Sequence, residues 1–342
     1  MNCGEVMRAR SRPIASPRFI LLRVVVEYFN RCGVAGRALV SRSVPNIRGW
    51  PAVGHRSTVP SSGQLSKSYT IRQSKATSSE ETAMSTSDRL YHIGFGRSDL
   101  GDDPPRIALL SGDPDRAKLI AETHLRDVRM LSEHRGLNSY VGRLPSGRPI
   151  LSATSGMGAP SLSIVVNELV QVGIRAIIRV GTCGSIQERV LPGSVVISSA
   201  SLCRQGAADD IAPREYPAAA DPFLTVALVE AARALGVDHH VGITASTDTF
   251  YEGQERTESA NPHLLRRLRG ITEEYRRLNV LNYEMEAGTL FKMGGVYGFA
   301  AGCVCGVVAQ RTAGEQIVLE QKGTAVEHAI AVALGAAERV AL

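Results

Sequence analysis

Short apolar runs alternate with amphipathic stretches from residue 106 to the end of the chain, and several of the apolar runs lead into glycine. This alternation is typical of an α/β fold, in which helices cover a sheet. The apolar runs predict strands over 106–110, 149–155, 176–180, 193–200, 241–247, 280–284 and 299–309. The amphipathic stretches predict helices over 114–122, 160–172, 222–235, 260–269, 286–297 and 324–341.

The first 79 residues have a different composition. They contain 13 Lys or Arg and only two acidic residues, a balance of +11 against +6 for the whole chain, so the remainder carries −5. Because this segment lacks periodicity, we expect a disordered basic extension over 1–83 and one folded domain over 84–342. Two interpretations fit the extension: a mitochondrial-type transit peptide, or an upstream addition to a chain that starts at Met84. We expect a cytoplasmic protein, or a mitochondrial one if the extension is a transit peptide.

Charge, hydropathy and cysteine content exclude several classes of partner. The folded part is net negative and offers no broad basic surface, so we expect no nucleic-acid partner. The apolar segment 19–29 is shorter than a membrane span and contains Arg23 and Glu27, so we expect no membrane partner. The six cysteines are too sparse for a disulfide scaffold, and none forms a CxxC motif. We interpret Cys303 and Cys305 as buried core residues rather than metal ligands.

The segment "LLSGDPDR" has the features of an anion site. Gly112 follows the first predicted strand, and Asp113 and Pro114 suit the N-cap and first position of a helix. A glycine turn before a helix presents unpaired backbone N–H groups and the positive end of a dipole, and Arg116 adds a charge. Alone, the pattern fits a structural turn with a surface arginine better than a binding site.

A second segment, "IIRVGTCGS", repeats this design. Arg179 lies within an apolar strand, which is unusual unless an anionic group meets it, and Thr182 adds a hydroxyl donor. The two segments together favour a bound anion. Arg135, in "SEHRGLN", is a further arginine that by itself would be interpreted as a solvated charge.

The loop "STDTFYEGQERTE" carries Phe250, Gln254 and Arg256. A glutamine and an arginine together can match a ligand edge that displays two carbonyls and one N–H, and an aromatic ring can stack on such a ligand. Without other evidence, a surface loop that binds nothing would be the better interpretation.

Two carboxylates occur in the otherwise apolar segment around "NYEMEAG", at Glu284 and Glu286. Removing an unpaired carboxylate from water costs several kcal/mol, so such a pair needs partners from the chain or from a ligand. From the sequence, Glu284 either lines a pocket or pairs with an arginine.

In this order, these segments resemble the nucleoside phosphorylase family, from about Asp88 to the C-terminus. The resemblance rests on "SDRLYHIGF", "GDPDR", the His-Arg pair at 134 and 135, "SGMGAPS", "RVGTCGSIQ", "STDTFY", "GQER", "NYEMEAGTLF" and "GVVAQRT". It implies a three-layer α/β catalytic domain with a mixed, partly barrel-like central sheet flanked by helices. The Gln-x-Arg pair in "GQER" is similar to the pyrimidine branch, so the implied reaction is reversible phosphorolysis of uridine to uracil and ribose 1-phosphate in pyrimidine salvage.

The resemblance also implies roles for individual residues. The residues implied to bind phosphate are Gly112, Arg116, Arg179 and Thr182, with Arg135 from a neighbouring subunit. Those implied to bind ribose are Met285 and Glu286, with His92 from the neighbouring subunit. Those implied to hold the base are Phe250, Gln254 and Arg256, with Arg311 nearby, acting through water. Arg179, Glu286 and Arg256 are the implied catalytic residues.

One departure from the family pattern concerns a cation. Bacterial relatives follow the His-Arg pair with a glutamate that helps to hold potassium between subunits, whereas this chain has Gly136. Met157 and Ser161 can still contribute oxygen atoms, but the main charge is missing, so we expect no metal and no other cofactor. The resemblance implies a homo-oligomer with shared active sites, either a dimer or a trimer of dimers.

Three alternatives stay open from the sequence. The first is a purine or thioether nucleoside enzyme on the same fold, against which "GQER" argues. The second is a protein that binds nucleosides without turnover, and the third is a hydrolase that uses water in place of phosphate.

Overall fold

The computed structural model describes residues 88–312, 316–317 and 319–341. The predicted extension over 1–83, with its two interpretations, lies outside the described residues. Within the described part of the chain, no helix combines the length and apolar character needed to cross a bilayer.

Ten strands and seven helices form the described domain. The strands are β1 (Ile107–Ser111), β2 (Arg126–Ser132), β3 (Ser139–Arg143), β4 (Pro149–Thr154), β5 (Ala176–Ser185), β6 (Val195–Arg204), β7 (His239–Thr247), β8 (Asn282–Glu284), β9 (Ala300–Gln310) and β10 (Gln316–Ile317). The helices are α1 (Pro114–His124), α2 (Ala159–Gln171), α3 (Gly206–Ile211), α4 (Pro222–Ala234), α5 (Ile271–Arg277), α6 (Ala287–Tyr297) and α7 (Leu319–Arg339).

All ten strands belong to one mixed sheet in the order β10-β9-β6-β7-β8-β5-β1-β4-β3-β2. Strand β5 pairs in parallel with both β1 and β9, whereas β6 pairs antiparallel with β9. Because β9 contacts β5 as well as β6, the strands β9, β6, β7, β8 and β5 close into a ring. The predicted mixed, partly barrel-like sheet is therefore confirmed.

The helices cover both faces of the sheet, as the alternation of side chains along a strand requires. Ala108 and Leu110 of β1 pack in one apolar cluster with residues of α2 and α6. Ile107 and Leu109 pack in a second cluster with residues of α1, α4 and α7. Each fully buried Leu or Ile contributes about 1.5–3 kcal/mol by leaving water, so these two layers hold the sheet in place.

The predicted helix over 260–269 is wrong. The segment contains only a short 3₁₀ turn, Arg266–Leu268, and the following helix α5 begins at Ile271. The carboxylate of Glu255 accepts the backbone N–H groups of Gly270 and Thr272, the latter at 2.9 Å. This contact, between residues 17 apart in the chain, caps α5 and determines where the helix starts.

The sequence analysis missed the hairpin of β2 and β3. Strand β2, "RDVRMLS", is exposed along most of its length and pairs on one side only, with β3. An edge strand of this kind buries no continuous face, so it leaves no apolar run to detect. The other predicted strands overlap the observed ones, but β6 and β8 each begin two residues later than predicted, β5 and β6 end five and four residues later, and β10 was not predicted.

Candidate active site

One cavity of about 560 Å³ opens at the carboxyl ends of β1 and β5, beside β8 and the loop that contains Phe250. In open α/β sheets the carboxyl ends of parallel strands are the usual place for a ligand. Its lining residues are Gly112, Asp113, Pro114, Arg116, Met157, Arg179, Thr182, Cys183, Gly184, Phe250, Gln254, Arg256, Tyr283, Glu284, Met285, Glu286, Val308, Ala309 and Lys322. The cavity thus gathers nine of the twelve residues that the sequence analysis assigned to phosphate, ribose or base.

The turn between β1 and α1 forms one end of the cavity. The side chain of Asp113 accepts the backbone N–H of Asp115 at 3.0 Å and caps α1, as predicted. A Cβ atom at position 112 would lie 3.2 Å from the carbonyl oxygen of Gly156, so glycine allows the two loops to approach closely. Arg116 reaches back to β5, where its Nη1 donates to the carbonyl oxygen of Val180 at 3.1 Å. This end of the cavity therefore combines the N-terminus of helix α1 with Arg116, whose side chain is hydrogen-bonded to the backbone of β5.

Arg179 lies at the centre of the cavity floor and is only 5% exposed. Its Nε donates to Oε2 of Glu284 at 3.0 Å, and its Nη2 forms a short ion pair with Glu286. Burial by itself lowers the pKa of Arg179, but the carboxylates of Glu286 and Glu284 outweigh burial and raise that pKa well above its ordinary value. The guanidinium therefore keeps its charge inside the protein.

Glu284 is a buried acceptor for four donors. Besides Arg179, its Oε2 accepts the backbone N–H groups of Glu286 and Ala287 at 2.8 Å each, and its Oε1 accepts a short hydrogen bond from Ser246. Burial raises the pKa of Glu284 to about 7, although Arg179 acts in the opposite direction. Of the two alternatives left open by the sequence, the structure shows both: Glu284 lines the cavity and pairs with an arginine.

Glu286 lies just before α6, with its carboxylate at the cavity wall. One oxygen accepts the backbone N–H of Gly158, and the other contacts Arg179. Its backbone is fixed by the hydrogen bond to Glu284. A carboxylate held in this way retains lone pairs for a vicinal diol, which is the chemistry expected of a ribose site.

We call the end of the cavity at the turn between β1 and α1 the anion end. The charges of the side chains there are compatible with one more cation. Arg116 and Arg179 face two carboxylates, and burial together with the charge of Arg179 lowers the pKa of Arg116. Nε of Arg116 is buried and has no hydrogen-bond partner in the part of the chain that the structure describes. A dianion placed here would be better balanced by a further arginine, because the guanidinium of Arg179 is already shared with Glu284 and Glu286 and that of Arg116 lies 4.0 Å from Asp113.

The other end of the cavity is built from the loop after β7. Nη1 of Arg256 donates to the carbonyl oxygen of Phe250 at 2.7 Å and to Oε1 of Gln254. The guanidinium of Arg256 stacks 3.7 Å from the ring centre of Phe250. Arg311 lies behind this group rather than in the lining, and its Nη2 donates to the backbone oxygen of Gln254 at 2.7 Å. The loop thus presents an aromatic ring, an amide and a guanidinium together.

Comparison with known proteins places this chain in a family. The sequence pattern of the phosphorylase superfamily matches residues 106–341. The chain belongs to the phosphorylase superfamily.

Several curated superfamily members are similar along most of their length. A uridine phosphorylase of Salmonella typhimurium is 41% identical over 257 residues, which are 75% of this chain and all of that protein. A uridine phosphorylase of Thermococcus kodakarensis is 39% identical over 225 residues, 66% of this chain and 79% of that protein. A DeoD-type purine nucleoside phosphorylase of Yersinia enterocolitica is 32% identical over 246 residues, 71% of this chain and 94% of that protein.

Two of the predicted site residues of this phosphorylase, His92 and Arg135, do not line the cavity. They lie together on another part of the surface, where Nη2 of Arg135 donates to the Tyr91 hydroxyl at 3.0 Å and the rings of Tyr91 and His92 are 4.9 Å apart. His134 also contacts this group, because its Nδ1 is 3.2 Å from the carbonyl oxygen of His92. Their predicted action on a neighbouring subunit stays a prediction.

The sequence analysis missed two residues with polar roles in this phosphorylase. Lys322 lines the cavity because α7 begins at Leu319, five residues before the predicted start. Glu168 holds His92 through a hydrogen bond of 2.6 Å, and a buried glutamate in the apolar stretch of α2 was a detectable signal.

The predicted core cysteines and the proposed cation contacts can also be located in the phosphorylase. Cys303 and Cys305 are buried in β9 with their sulfur atoms 3.6 Å apart. The Ser161 hydroxyl donates to the backbone oxygen of Ser155 at 2.6 Å, and Met157 is exposed at the cavity rim. Among the described residues, no group of three or more His, Cys, Asp or Glu side chains could hold a metal ion.

Proposed function

We propose that this phosphorylase cleaves uridine reversibly with inorganic phosphate, giving uracil and ribose 1-phosphate. The observation that carries this proposal is a single cavity that combines three chemistries: the arginines Arg116 and Arg179 at one end, Glu286 in the middle, and Gln254 with Arg256 at the other end. An anion, a sugar diol and a pyrimidine edge are the ligands that these three groups bind best.

The phosphate would lie against the turn that contains Gly112, between Arg116, Arg179 and Thr182. The ribose would follow, with its 2′ and 3′ hydroxyls donating to Glu286 and its ring beside Met285. Uracil would occupy the far end near Phe250, where its N3–H can donate to Gln254 and its carbonyl oxygens can accept from Gln254 and Arg256. This order places the phosphate next to the anomeric carbon.

The reaction replaces a carbon–nitrogen bond by a carbon–oxygen bond. As the glycosidic bond breaks, positive charge grows on the ribose and negative charge on the departing uracil, while an oxygen of hydrogen phosphate bonds to C1′ and the proton that this phosphate loses neutralises the uracil anion. Arg256 stabilises the uracil anion, and the phosphate dianion stabilises the oxocarbenium-like sugar. Arg179 holds the nucleophile in line, so most of the rate enhancement comes from positioning and electrostatics.

We further propose that a second copy of the chain completes the cavity. Arg135 and His92 lie on a surface outside their own cavity, whose lining includes the carboxylates of Asp113, Glu284 and Glu286 beside Arg116 and Arg179. Arg135 from a second copy would supply the third guanidinium, and His92 would meet the 5′ hydroxyl of the ribose. The functional unit is then a homo-oligomer built from dimers.

The decisive experiment measures uracil release from uridine with and without phosphate. We expect release that depends on phosphate and the appearance of ribose 1-phosphate in equal amount. Equal rates without phosphate would instead establish a hydrolase, and absence of uracil release at saturating uridine and phosphate would establish a nucleoside-binding protein. In the reverse direction, uracil and ribose 1-phosphate should yield uridine.

Purine nucleosides are the second candidate substrates, because one relative in the superfamily is a purine nucleoside phosphorylase. A panel of uridine, thymidine, deoxyuridine, inosine, adenosine and methylthioadenosine, each assayed with phosphate, separates the two. We expect uridine to have the highest kcat/KM of the panel. Faster turnover of a purine nucleoside would overturn the assignment of the base.

We also propose that the protein acts in the cytoplasm, where its substrates are dissolved. Fractionation of cells that express the full chain, with the activity followed in each fraction, tests this location. Recovery of the activity in mitochondria would support the transit-peptide interpretation of residues 1–83.

A further inference from the structure

We propose that Glu168 is a positioning residue for His92: it holds the imidazole so that Nε2 accepts a hydrogen bond from the ribose 5′ hydroxyl in the cavity of a second copy. This inference rests on the proposed function. It adds a residue of α2 that lies outside the cavity and that the family resemblance did not point to.

Glu168 directs both carboxylate oxygens at the segment that carries His92. Its Oε1 lies 2.6 Å from Nδ1 of His92, and its Oε2 accepts the backbone N–H of Ile93 at 2.8 Å. Both oxygens also lie within 3.2 Å of the backbone N–H of His92. Although burial acts to raise the pKa of Glu168, these hydrogen bonds lower it overall, which keeps the side chain an acceptor.

This geometry determines which ring nitrogen carries hydrogen. A carboxylate can only accept, so Nδ1 of His92 must be the protonated nitrogen. In the neutral ring Nε2 then carries no hydrogen, so its lone pair can accept a hydrogen bond from a hydroxyl. Without Glu168, both tautomers would be accessible, and Nε2 would no longer be fixed as an acceptor for the hydroxyl hydrogen.

Neighbouring residues also pack against the segment that carries His92 and restrain it. A Cβ atom at Gly94, where φ is +73°, would lie 2.5 Å from the Ser132 hydroxyl, so the turn after His92 packs directly on β2. Nδ1 of His134 lies 3.2 Å from the carbonyl oxygen of His92. Glu168 is only 9% exposed, and it ties this turn to α2. A residue that must reach into a second copy needs a rigid support of this kind.

The first test compares uridine with 5′-deoxyuridine, which lacks only the hydroxyl in question. In the wild type we expect kcat/KM for uridine to exceed that for 5′-deoxyuridine by about tenfold, the effect of one good hydrogen bond. Glu168→Gln should reduce this ratio to about threefold or less, mainly through uridine, because a neutral amide no longer selects one tautomer. His92→Ala should bring the ratio close to one, and the double variant should lower it no further.

Gln171→Ala is the matched control, since Gln171 lies on the same helix and lines the groove beside His92 without contacting it. We expect the wild-type ratio in this variant. An unchanged ratio in a folded Glu168→Gln protein, or equal use of both nucleosides by the wild type, overturns the inference while leaving phosphorolysis of uridine intact. A wild type that releases no uracil from uridine overturns the proposed function instead.

The second test does not depend on a folded variant. Nitrogen-15 NMR of the wild type at about pH 8, above the ordinary titration range of imidazole, reports which nitrogen of His92 is protonated. The His92→Gln spectrum identifies the resonance by its disappearance. Protonation at Nδ1 supports the role of Glu168, and protonation at Nε2 contradicts it.

Discussion

Nε of Arg179 lies 3.0 Å from Oε2 of Glu284, and the same oxygen accepts the backbone N–H groups of Glu286 and Ala287. One buried carboxylate oxygen therefore connects the arginine of β5 with the start of α6. The positions of Arg179 and Glu286, which we propose to meet phosphate and ribose, depend on the same atom. We infer that Glu284 positions both Arg179 and Glu286.

Glu284→Gln should weaken phosphate use strongly. The amide keeps the size of the side chain but removes the charge that pairs with Arg179, and disrupting a buried ion pair costs about 3 kcal/mol, roughly 150-fold in kcat/KM for phosphate. Steady-state rates at varied phosphate and saturating uridine, measured at about pH 8 so that the Glu284 carboxyl is ionised, report the change. Glu122→Gln, an exposed glutamate on α1, is the control and should behave as the wild type. A Glu284→Gln protein with wild-type phosphate dependence would refute this role.

Arg179→Ala should abolish the anion site. The arginine is 5% exposed in an apolar strand and pairs with two carboxylates, so its removal leaves the dianion short of a buried partner, a loss of about 3 kcal/mol or more. Phosphate dependence of uracil release is again the measurement. Arg214→Ala, at an exposed ion pair with Asp209, serves as the comparison and should have little effect. Unchanged phosphate dependence in Arg179→Ala would contradict the assignment.

Glu284 should also make stability depend on pH. Burial raises its pKa from 4.5 to about 7, so between these values the folded chain holds a proton that the unfolded chain has released. The free energy of unfolding should therefore fall as the pH rises from about 4.5 to about 7, by at most about 3 kcal/mol from this group, and stay level above. Denaturant titrations of wild type and Glu284→Gln at fixed protein concentration, at several pH values, test this. A pH-independent difference between the two proteins would exclude it.

Gln254→Ala and Arg256→Ala should each lower turnover of uridine, and Arg256→Ala should cost more. Arg256 meets charge that develops on uracil only as the bond breaks, whereas Gln254 contributes to binding as well. Inosine should remain a poor substrate of the wild type, since unpaired polar groups in the pocket reject a purine by roughly four orders of magnitude. The prediction fails if neither variant loses more than about tenfold, roughly 1.4 kcal/mol, in kcat/KM for uridine.

A chain that begins at Met84 should keep the full-length rate per active site. The lining of the cavity runs from Gly112 to Lys322, and the surface group with His92 and Arg135 also lies after position 84. Active-site titration and initial rates of the two chains provide the comparison. A shortened chain that is folded but inactive would reveal a contribution of residues 1–83.

Much of the fold could be predicted because it depends on local pattern. Strand β1 and helix α1 were found from a buried apolar run, a glycine, an Asp cap and a proline that follow one another in the chain. Helix α5 was missed because its cap, Glu255, comes from outside the helix. The hairpin of β2 and β3 was missed because an exposed edge carries no apolar signal.

The chemical groups available to this protein could be read from its amino-acid sequence. Arg179, Glu284 and Glu286 stood out because charged groups in apolar segments need partners that water cannot supply, whereas the roles of Arg116, Gln254 and Arg256 were implied by the family resemblance.

Which partners these groups share depends on the folded arrangement of strands and helices. Glu284 holds Arg179 although the two are 105 residues apart in the chain, and Glu168 holds His92 across 76 residues. Hydrogen bonds act over about 3 Å in space, and no local pattern encodes which distant strands and helices come within that distance. The sequence supplied the reacting groups, and the closed sheet with its two helical layers set their positions.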